Sequence, residues 1–389
     1  MDPAHRERFR ALADLTERLR RGDPGTLASL QGALAAGPLH QTAVAELARS
    51  FGRGWSARRL AAMQRLWPRA AEPIGTVAVV APGNLFVAGW QAVLEPWLAG
   101  NRMRVRPSSD DGGALPWLLD QIGHAAAAID LYTWPRGDAQ AGVRFLARVD
   151  ALAVWGGDLA LAELQHLVTA AGFSGPVRLH GPRSGLAIVD VRAGNPSASA
   201  LAGLARDVVL GDGRGCMGVG RVWWHGANAN AVPALHDLLA ATIARAARRW
   251  PPGSAHAATT PAAAMRAEAV AVAAAVTPGA RFSPRPDGWL LSTAELPGMD
   301  AVGTAPGRCV VAAPIEPRLL PAALAQRVAT VSVVATDLPA AVARALALDL
   351  GCRWCRPGRA QIPRADQGHD GYRVFEGFWR PISARRAGA

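Results

Sequence analysis

"IGTVAVVAPGNLFVAGWQAVLEPWLAGNRMRVRPSS", residues 74–109, changes its period twice. The opening is an unbroken alanine and β-branched run, the pattern of a strand buried on both faces. Pro82-Gly83-Asn84 then breaks the chain, LFVAGWQAVLEPWLAG reads as a long apolar helix, and RMRVR as a short strand. Strand, helix and strand make a βαβ unit, which requires a parallel sheet with a helix laid over it. Outward from this unit the alternation continues. A helix around Leu115 to Ala128 precedes a strand at AIDLYTWP, and VDALAVWGGD, GPVRLHG and SGLAIVDV follow. Further strands fall at GRVWWHG, WLLST, GRCVVAA and VATVSVVA, with helices NAVPALHDLLAATIARAARRW and AAAMRAEAVAVAAAV among them. The expected fold class is therefore α/β, with mostly parallel sheets covered on both faces.

Upstream, residues 4–70 read as amphipathic helices broken at RRGDPG and AAGPLHQ, a helical N-terminal layer. PPGSAHAATTPAA is the expected exposed connection, and the Gly-, Pro- and Arg-rich last 40 residues are expected to pack back on the body. There is no internal repeat, Walker loop or HExxH.

The chain has 389 residues and half are hydrophobic, enough for more than one domain with its own core. The formal charge is +12, and all 42 basic residues are arginine. They are scattered among Asp and Glu rather than gathered on one face, which argues against nucleic-acid binding. A diffuse positive field suits phosphorylated ligands such as a coenzyme A thioester, an acidic carrier protein or a dinucleotide. No apolar run reaches the ~18 to 20 residues that span a bilayer, and the N-terminus is charged and helical in pattern. A cytoplasmic protein is expected, and its four cysteines (Cys216, Cys309, Cys352, Cys355) are expected to be free thiols.

In open α/β sheets ligands bind at the carboxyl ends of strands, which places APGN (residues 81–84) and WGGD (residues 155–158) on one crevice. Each is also readable as a tight turn that needs glycine. Cys216 sits in GDGRGCMGVG, where backbone N–H groups can lower a thiol pKa and stabilise an oxyanion. An inert turn cysteine fits the same residues, since only Arg214 and Arg221 stand near it in sequence. Cys352 and Cys355 form a single CxxC, and Cys309 lies in an apolar strand; both readings are structural. The nine histidines form no HxxxH pair, so no metal is expected. His369-Asp370-Gly371, beside Tyr372, is a polar turn or a contact with the site.

The order of these pieces resembles the aldehyde dehydrogenase superfamily and, within it, the acyl-CoA reductases of the bacterial bioluminescence type (LuxC-like). APGN, RPSS, WGGD, LHGPRSGLAIV and GCMGVGRVWW occur in sequence, and GRAQIPRADQGHDG is similar to that branch's C-terminal pattern. The resemblance covers roughly residues 70–375. It implies an aldehyde-dehydrogenase-like fold with two Rossmann-like α/β domains: helices over 1–70, a cofactor domain over 71–182, a catalytic domain over 183–350 and a tail over 351–389. It makes Cys216 the nucleophile and Asn84 the side-chain donor of the oxyanion hole. Arg106, Ser108 and Ser109 fall at the adenosine-ribose stretch and Gly156-Gly157 at the pyrophosphate turn, while Glu316 is the candidate for the nicotinamide ribose. Ser109 replaces a carboxylate that would repel a 2'-phosphate, and Arg104 and Arg106 can attract one, which favours NADPH over NADH. Leu179 stands where hydrolytic members carry the glutamate that activates water, so an acyl-enzyme would await a thiol or hydride. The implied activity is NADPH-dependent reduction of an acyl thioester, on CoA or acyl-carrier protein, to an aldehyde through a cysteinyl thioester. Oxidative aldehyde dehydrogenase activity and a catalytically degenerate acyl-binding scaffold are the alternatives. A homo-oligomer or a partner acyl-transferring enzyme fits this branch. Trp90, Trp97, Trp223 and Trp224 are available to a substrate channel or to the core.

Overall fold

The computed structural model describes residues 3–135, 137–254, 261–294, 307–316 and 331–382. Four helices, α1 (Pro3–Arg21), α2 (Pro24–Ala33), α3 (Gln41–Gly54) and α4 (Ala57–Gln64), form the N-terminal layer. The RRGDPG break works as read: the Asp23 carboxylate accepts from the Thr26 N–H at 2.8 Å, and Pro24 opens α2. Leu12, Leu15 and Leu19 of α1 and Phe51 of α3 are fully buried. Phe51 stacks on Trp55 at 5.2 Å between centroids and meets Trp90 edge-on at 5.2 Å, which locks this layer to the helix of the first βαβ unit.

After a short strand β1 (Ala71–Pro73), that unit runs β2 (Thr76–Val80), α5 (Phe86–Leu98) and β3 (Arg102–Arg106). Helix α6 (Ala114–Ile122), strand β4 (Ile129–Leu131), helix α7 (Ala139–Leu146), strand β5 (Ala151–Trp155), helix α8 (Asp158–Ala170) and strand β6 (Val177–His180) complete a five-stranded sheet in the order β4-β3-β2-β5-β6. Every pairing in it is parallel. The order reverses beside β2, so the loops after β2 and β5 open on one crevice.

The second sheet is built from β7 (Ser184–Asp190), β8 (Val219–His225), β9 (Arg281–Arg285), β10 (Gly288–Ser292), β11 (Val310–Ile315), β12 (Val331–Thr336) and β13 (Arg353–Cys355). Its order is β13-β12-β7-β8-β11-β10-β9, with helices α9 (Ala198–Val209), α10 (Val232–Arg249), α11 (Pro261–Val276) and α12 (Ala340–Asp349) between strands in sequence. Only β9 is antiparallel. It was not evident in the sequence because RFSPR lacks an apolar alternation, and Pro284 is tolerated there because β9 is an edge strand. Gly185 and Gly218 let β7 approach the turn before β8, since a Cβ on Gly185 would fall about 2.5 Å from the Gly218 carbonyl oxygen.

The C-terminal segment supplies β13 to the second sheet and then crosses to the first body, where β14 (Trp379–Pro381) pairs antiparallel with β1. Asp207 holds its start, accepting from the N–H groups of Gly358 at 2.6 Å and Ala360 at 3.0 Å. Glu95 holds its end, accepting from the Phe375 N–H at 2.9 Å and pairing with Arg178 at 2.9 Å. Trp90, Trp97, Trp223 and Trp224 are all core residues.

Candidate active site

The break after β2 and the loop before β8 meet face to face. Asn84 caps its own turn, with Oδ1 accepting from the Leu85 N–H at 3.1 Å. Its Nδ2 donates to the Arg214 carbonyl at 2.7 Å, and Arg214 Nε returns a bond to the Asn84 carbonyl at 3.3 Å. A primary amide has two N–H groups, so Asn84 retains a second donor beside the loop that carries Cys216. Gly83 is required here because any Cβ would run into the Ser108 hydroxyl, which accepts from the Asp110 N–H at 3.2 Å.

The 211–216 loop is fixed from beneath. Asp212 adopts a left-handed φ of 56°, and its carboxylate takes Arg308 at 2.6 Å and the Gly253 N–H at 2.9 Å. Arg308 is fully buried and also reaches Asp287 at 2.9 Å and the Trp250 carbonyl at 2.7 Å, so its donors are matched by two carboxylates and a carbonyl. The Cys216 carbonyl accepts from Ser332 Oγ at 2.6 Å. Cys216 is a free, half-buried thiol. Burial pushes its pKa up to about 12, helped by the Asp370 carboxylate and opposed by the Arg183 guanidinium, its own backbone N–H and Arg353. This corrects the expectation of a thiol acidified by its glycine-rich loop. The two arginines nearest in sequence are engaged elsewhere, Arg214 on Asn84 and Arg221 on Ser184 Oγ at 3.1 Å.

The end of β6 meets the C-terminal HDG turn, and Asp370 of that turn acts on the Cys216 thiol together with Arg183. Trp155 and His180, register partners on β5 and β6, stack with rings 4.1 Å apart and parallel within 2°. His180 Nδ1 bonds Asp370 Oδ2 at 2.7 Å, His369 Nε2 lies 3.3 Å from the same oxygen, and Arg183 Nε pairs with Asp370 Oδ1 at 3.1 Å. Tyr372 Oη accepts from the Leu179 N–H at 3.1 Å. Burial lowers His369 to about 4, against the pull of Asp370, so its imidazole is neutral. Asp370 stays below the usual carboxylate range despite burial, through its bond to His180 and the nearby His369 and Arg183. His180, His369 and Asp370 bring three ligand-type atoms within 4.8 Å of one another, but Arg183 already balances the single carboxylate. The set is suited to protons rather than to a cation.

A cavity of about 260 Å³ opens beyond the carboxyl ends of β2, β3 and β5, walled by Val80, Arg106, Trp134, Phe145, Trp155 and Glu163. Arg106 lies over the Trp134 ring at 4.5 Å. Arg104 is turned away, its Nη1 donating to the carbonyls of Phe145 at 3.1 Å and Ala147 at 2.6 Å. Ser109 is exposed and 3.4 Å from Asp110 Oδ1. Gly156 donates to the His180 carbonyl at 3.1 Å, and Gly157 caps α8 with open space where a Cβ would stand. Glu316 requires a correction. It follows Ile315, the β11 residue paired with His225 at the far end of β8, whereas Cys216 precedes Val219 at the near end. At ~3.3 Å per residue the length of β8 separates them, and Glu316 instead faces Arg192. Cys355 lies in β13, with Cys352 just before it.

A family model described as acyl-CoA reductase (LuxC) matches residues 45–380. A search of curated protein sequences finds no match. Among solved structures, succinic semialdehyde dehydrogenase from Streptococcus pyogenes, in complex with NADP+, is similar with a TM-score of 0.68 at 13% identity, over 98% of this chain and 90% of that one. An NAD-dependent aldehyde dehydrogenase from Sinorhizobium meliloti gives 0.65 at 17% identity, over 98% and 81%. The glyceraldehyde-3-phosphate dehydrogenase of Methanocaldococcus jannaschii, complexed with NADP, gives 0.64 at 14% identity, over 97% and 88%. The fold is that of the aldehyde dehydrogenases.

Proposed function

The chain belongs to the LuxC acyl-CoA reductase family, and from that premise we propose that it reduces an acyl thioester to an aldehyde through a thioester on Cys216, with NADPH as reductant. The observation that carries the reading is the contact between Asn84 Nδ2 and the Arg214 carbonyl at 2.7 Å. It sets a side-chain amide beside the one glycine-rich loop that holds a thiol.

Cys216 Sγ attacks the carbonyl of the bound thioester. The free N–H of Asn84 and the backbone N–H of Cys216 receive the developing oxyanion. Collapse expels the donor thiol, CoA or a carrier-protein arm, and leaves the acyl group on sulfur. Arg106 and the Trp134 face fit an adenosine end carrying a 2'-phosphate, and the open side of Gly157 at the start of α8 fits a pyrophosphate. A reduced nicotinamide bound there supplies the hydride. Leu179, 41% exposed on β6 where hydrolytic members carry the glutamate, offers no base to activate water, so the acyl group is kept for reduction. No helix among the described residues is long and apolar enough to cross a membrane, and we place the reaction in the cytoplasm.

The test is a panel of acyl-CoA and acyl-carrier-protein thioesters with NADPH oxidation as readout, repeated with NADH. Aldehyde formation that disappears in Cys216→Ala is expected. Aldehyde made by Cys216→Ala, or no acyl adduct on wild-type Cys216 by intact mass with any thioester, would sink the reading.

A further inference from the structure

Attack by Cys216 releases a proton, and the one acid of the 211–217 loop, Asp212, is committed to Arg308 and the Gly253 N–H. We propose that the buried cluster of Asp370 with the imidazoles of His180 and His369 is the proton acceptor for Cys216, an imidazole held by Asp370 taking the proton as the sulfur attacks and returning it to the departing thiolate. This rests on reading Cys216 as the nucleophile. Nothing in its derivation depends on which thioester is used.

Three independent features converge. The first is burial with charge: the side chains of His180 and Asp370 are only 3% and 2% exposed, and that of His369 11%. A buried carboxylate with two imidazoles on one oxygen can carry an added proton on a ring nitrogen while its own charge offsets the imidazolium. The second is an open acceptor. His180 Nδ1 is committed to Asp370, and His180 Nε2 is buried without a hydrogen-bond partner. The third is proximity to the loop that carries the sulfur: Arg183, paired with Asp370 at 3.1 Å, stands two residues before Gly185, whose N–H donates at 3.0 Å to the carbonyl of Gly218, two residues after Cys216. Asp370 also sits in the left-handed region, at φ 53°, a conformation that is strained for aspartate and recurs where a backbone is held for function.

The step balances. The Sγ–H bond breaks and an Sγ–C bond forms, while the proton moves to an imidazole of the cluster, His180 Nε2 being the nitrogen without a partner. The bond from carbonyl carbon to donor sulfur then breaks with its electron pair on that sulfur, which takes the proton back. No oxidant or reductant enters. The charged and titratable groups that face the participants are Arg183, Arg353 and Asp370 around Cys216, and Asp370, His180, Arg353 and Glu95 around His369.

The test needs neither thioester nor cofactor. Alkylation of Cys216 by iodoacetamide is followed by peptide mass spectrometry against pH in the wild type, Asp370→Asn, His180→Gln and His369→Gln. If the cluster accepts the proton, each variant alkylates roughly 10-fold or more slowly at pH 7 and approaches the wild type as hydroxide takes over at high pH. If Asp370 is only a fixed negative charge beside the sulfur, Asp370→Asn lowers the thiol pKa and alkylates faster. An equal or faster rate in Asp370→Asn therefore overturns the proposal. Should Asp370→Asn fail to fold, an unchanged rate in His180→Gln, which removes the accepting ring nitrogen, overturns it too. Release of free CoA from an acyl-CoA is measured in parallel. Slowed alkylation in the variants with no CoA release by the wild type would end the thioester reading and leave the relay standing.

Discussion

Asn84 and Arg214, 130 positions apart in sequence, are joined by a 2.7 Å bond from the Asn84 amide to the Arg214 carbonyl. One residue lies in the turn between β2 of the five-stranded sheet and α5, and the other precedes Cys216 by two positions. The bond ties the two sheets at the point where thioester chemistry would occur. Asn84→Ala removes an oxyanion donor and one strand of this tie. Losing such a donor costs about 2.7 to 4 kcal/mol of transition-state stabilisation, so turnover with an acyl thioester is expected to fall about 100-fold or more. The rate of NADPH oxidation at saturating thioester checks this, and a loss confined to KM would remove Asn84 from the oxyanion role.

Arg106 lies over Trp134 on the cavity wall, whereas Arg104 is bound to two carbonyls. Of these two arginines, a 2'-phosphate on the proposed cofactor would therefore fall to Arg106. A charge-assisted bond contributes about 1.5 to 3 kcal/mol, so Arg106→Ala should raise the KM for NADPH roughly 10- to 100-fold with NADH nearly unaffected. Equal weakening of both cofactors would show that Arg106 serves only as a lid on the indole.

Sequence and structure part company in an orderly way. The βαβ unit was legible because a strand buried on both faces reads as the unbroken run of β2, and because Pro82-Gly83-Asn84 can only be a break. That the turn of Asn84 and the loop of Cys216 share one crevice was legible through the order of turns along the chain. The partners of His180 were not, since Asp370 lies 190 positions away on a polar turn with no period to mark it. Glu316 was misplaced because it is an isolated carboxylate at a strand end. The parallel register of β11 with β8, which carries it away from Cys216, exists only in three dimensions.

Burial holds the His369 imidazole neutral, lowering it from the usual 6.5 to about 4. The folded value lies below the unfolded one, so as pH falls the unfolded chain binds the proton first. The contribution is full above about pH 6.5 and is lost progressively between there and pH 4, about 3 kcal/mol at the limit. Urea unfolding at pH 7.5 and pH 5 should show the wild type losing more stability than His369→Gln. Identical pH dependence in the two proteins would exclude His369 as its source.

Leu179 stands on β6, its backbone N–H held by Tyr372 Oη at 3.1 Å and its side chain 41% exposed. On the proposed reading it takes the place of the glutamate that activates water, and Leu179→Glu would restore that carboxylate. Because the backbone tie to Tyr372 is independent of the side chain, the substitution leaves β6 in place. A positioned general base is worth about 100-fold or more. Leu179→Glu is therefore expected to divert product from aldehyde to free acid, with CoA released in excess of NADPH consumed. The ratio of free thiol to NADPH oxidised measures the diversion directly. A ratio that stays at the wild-type value, in a variant that still acylates, would show that water is kept from the acyl group by something other than the missing carboxylate.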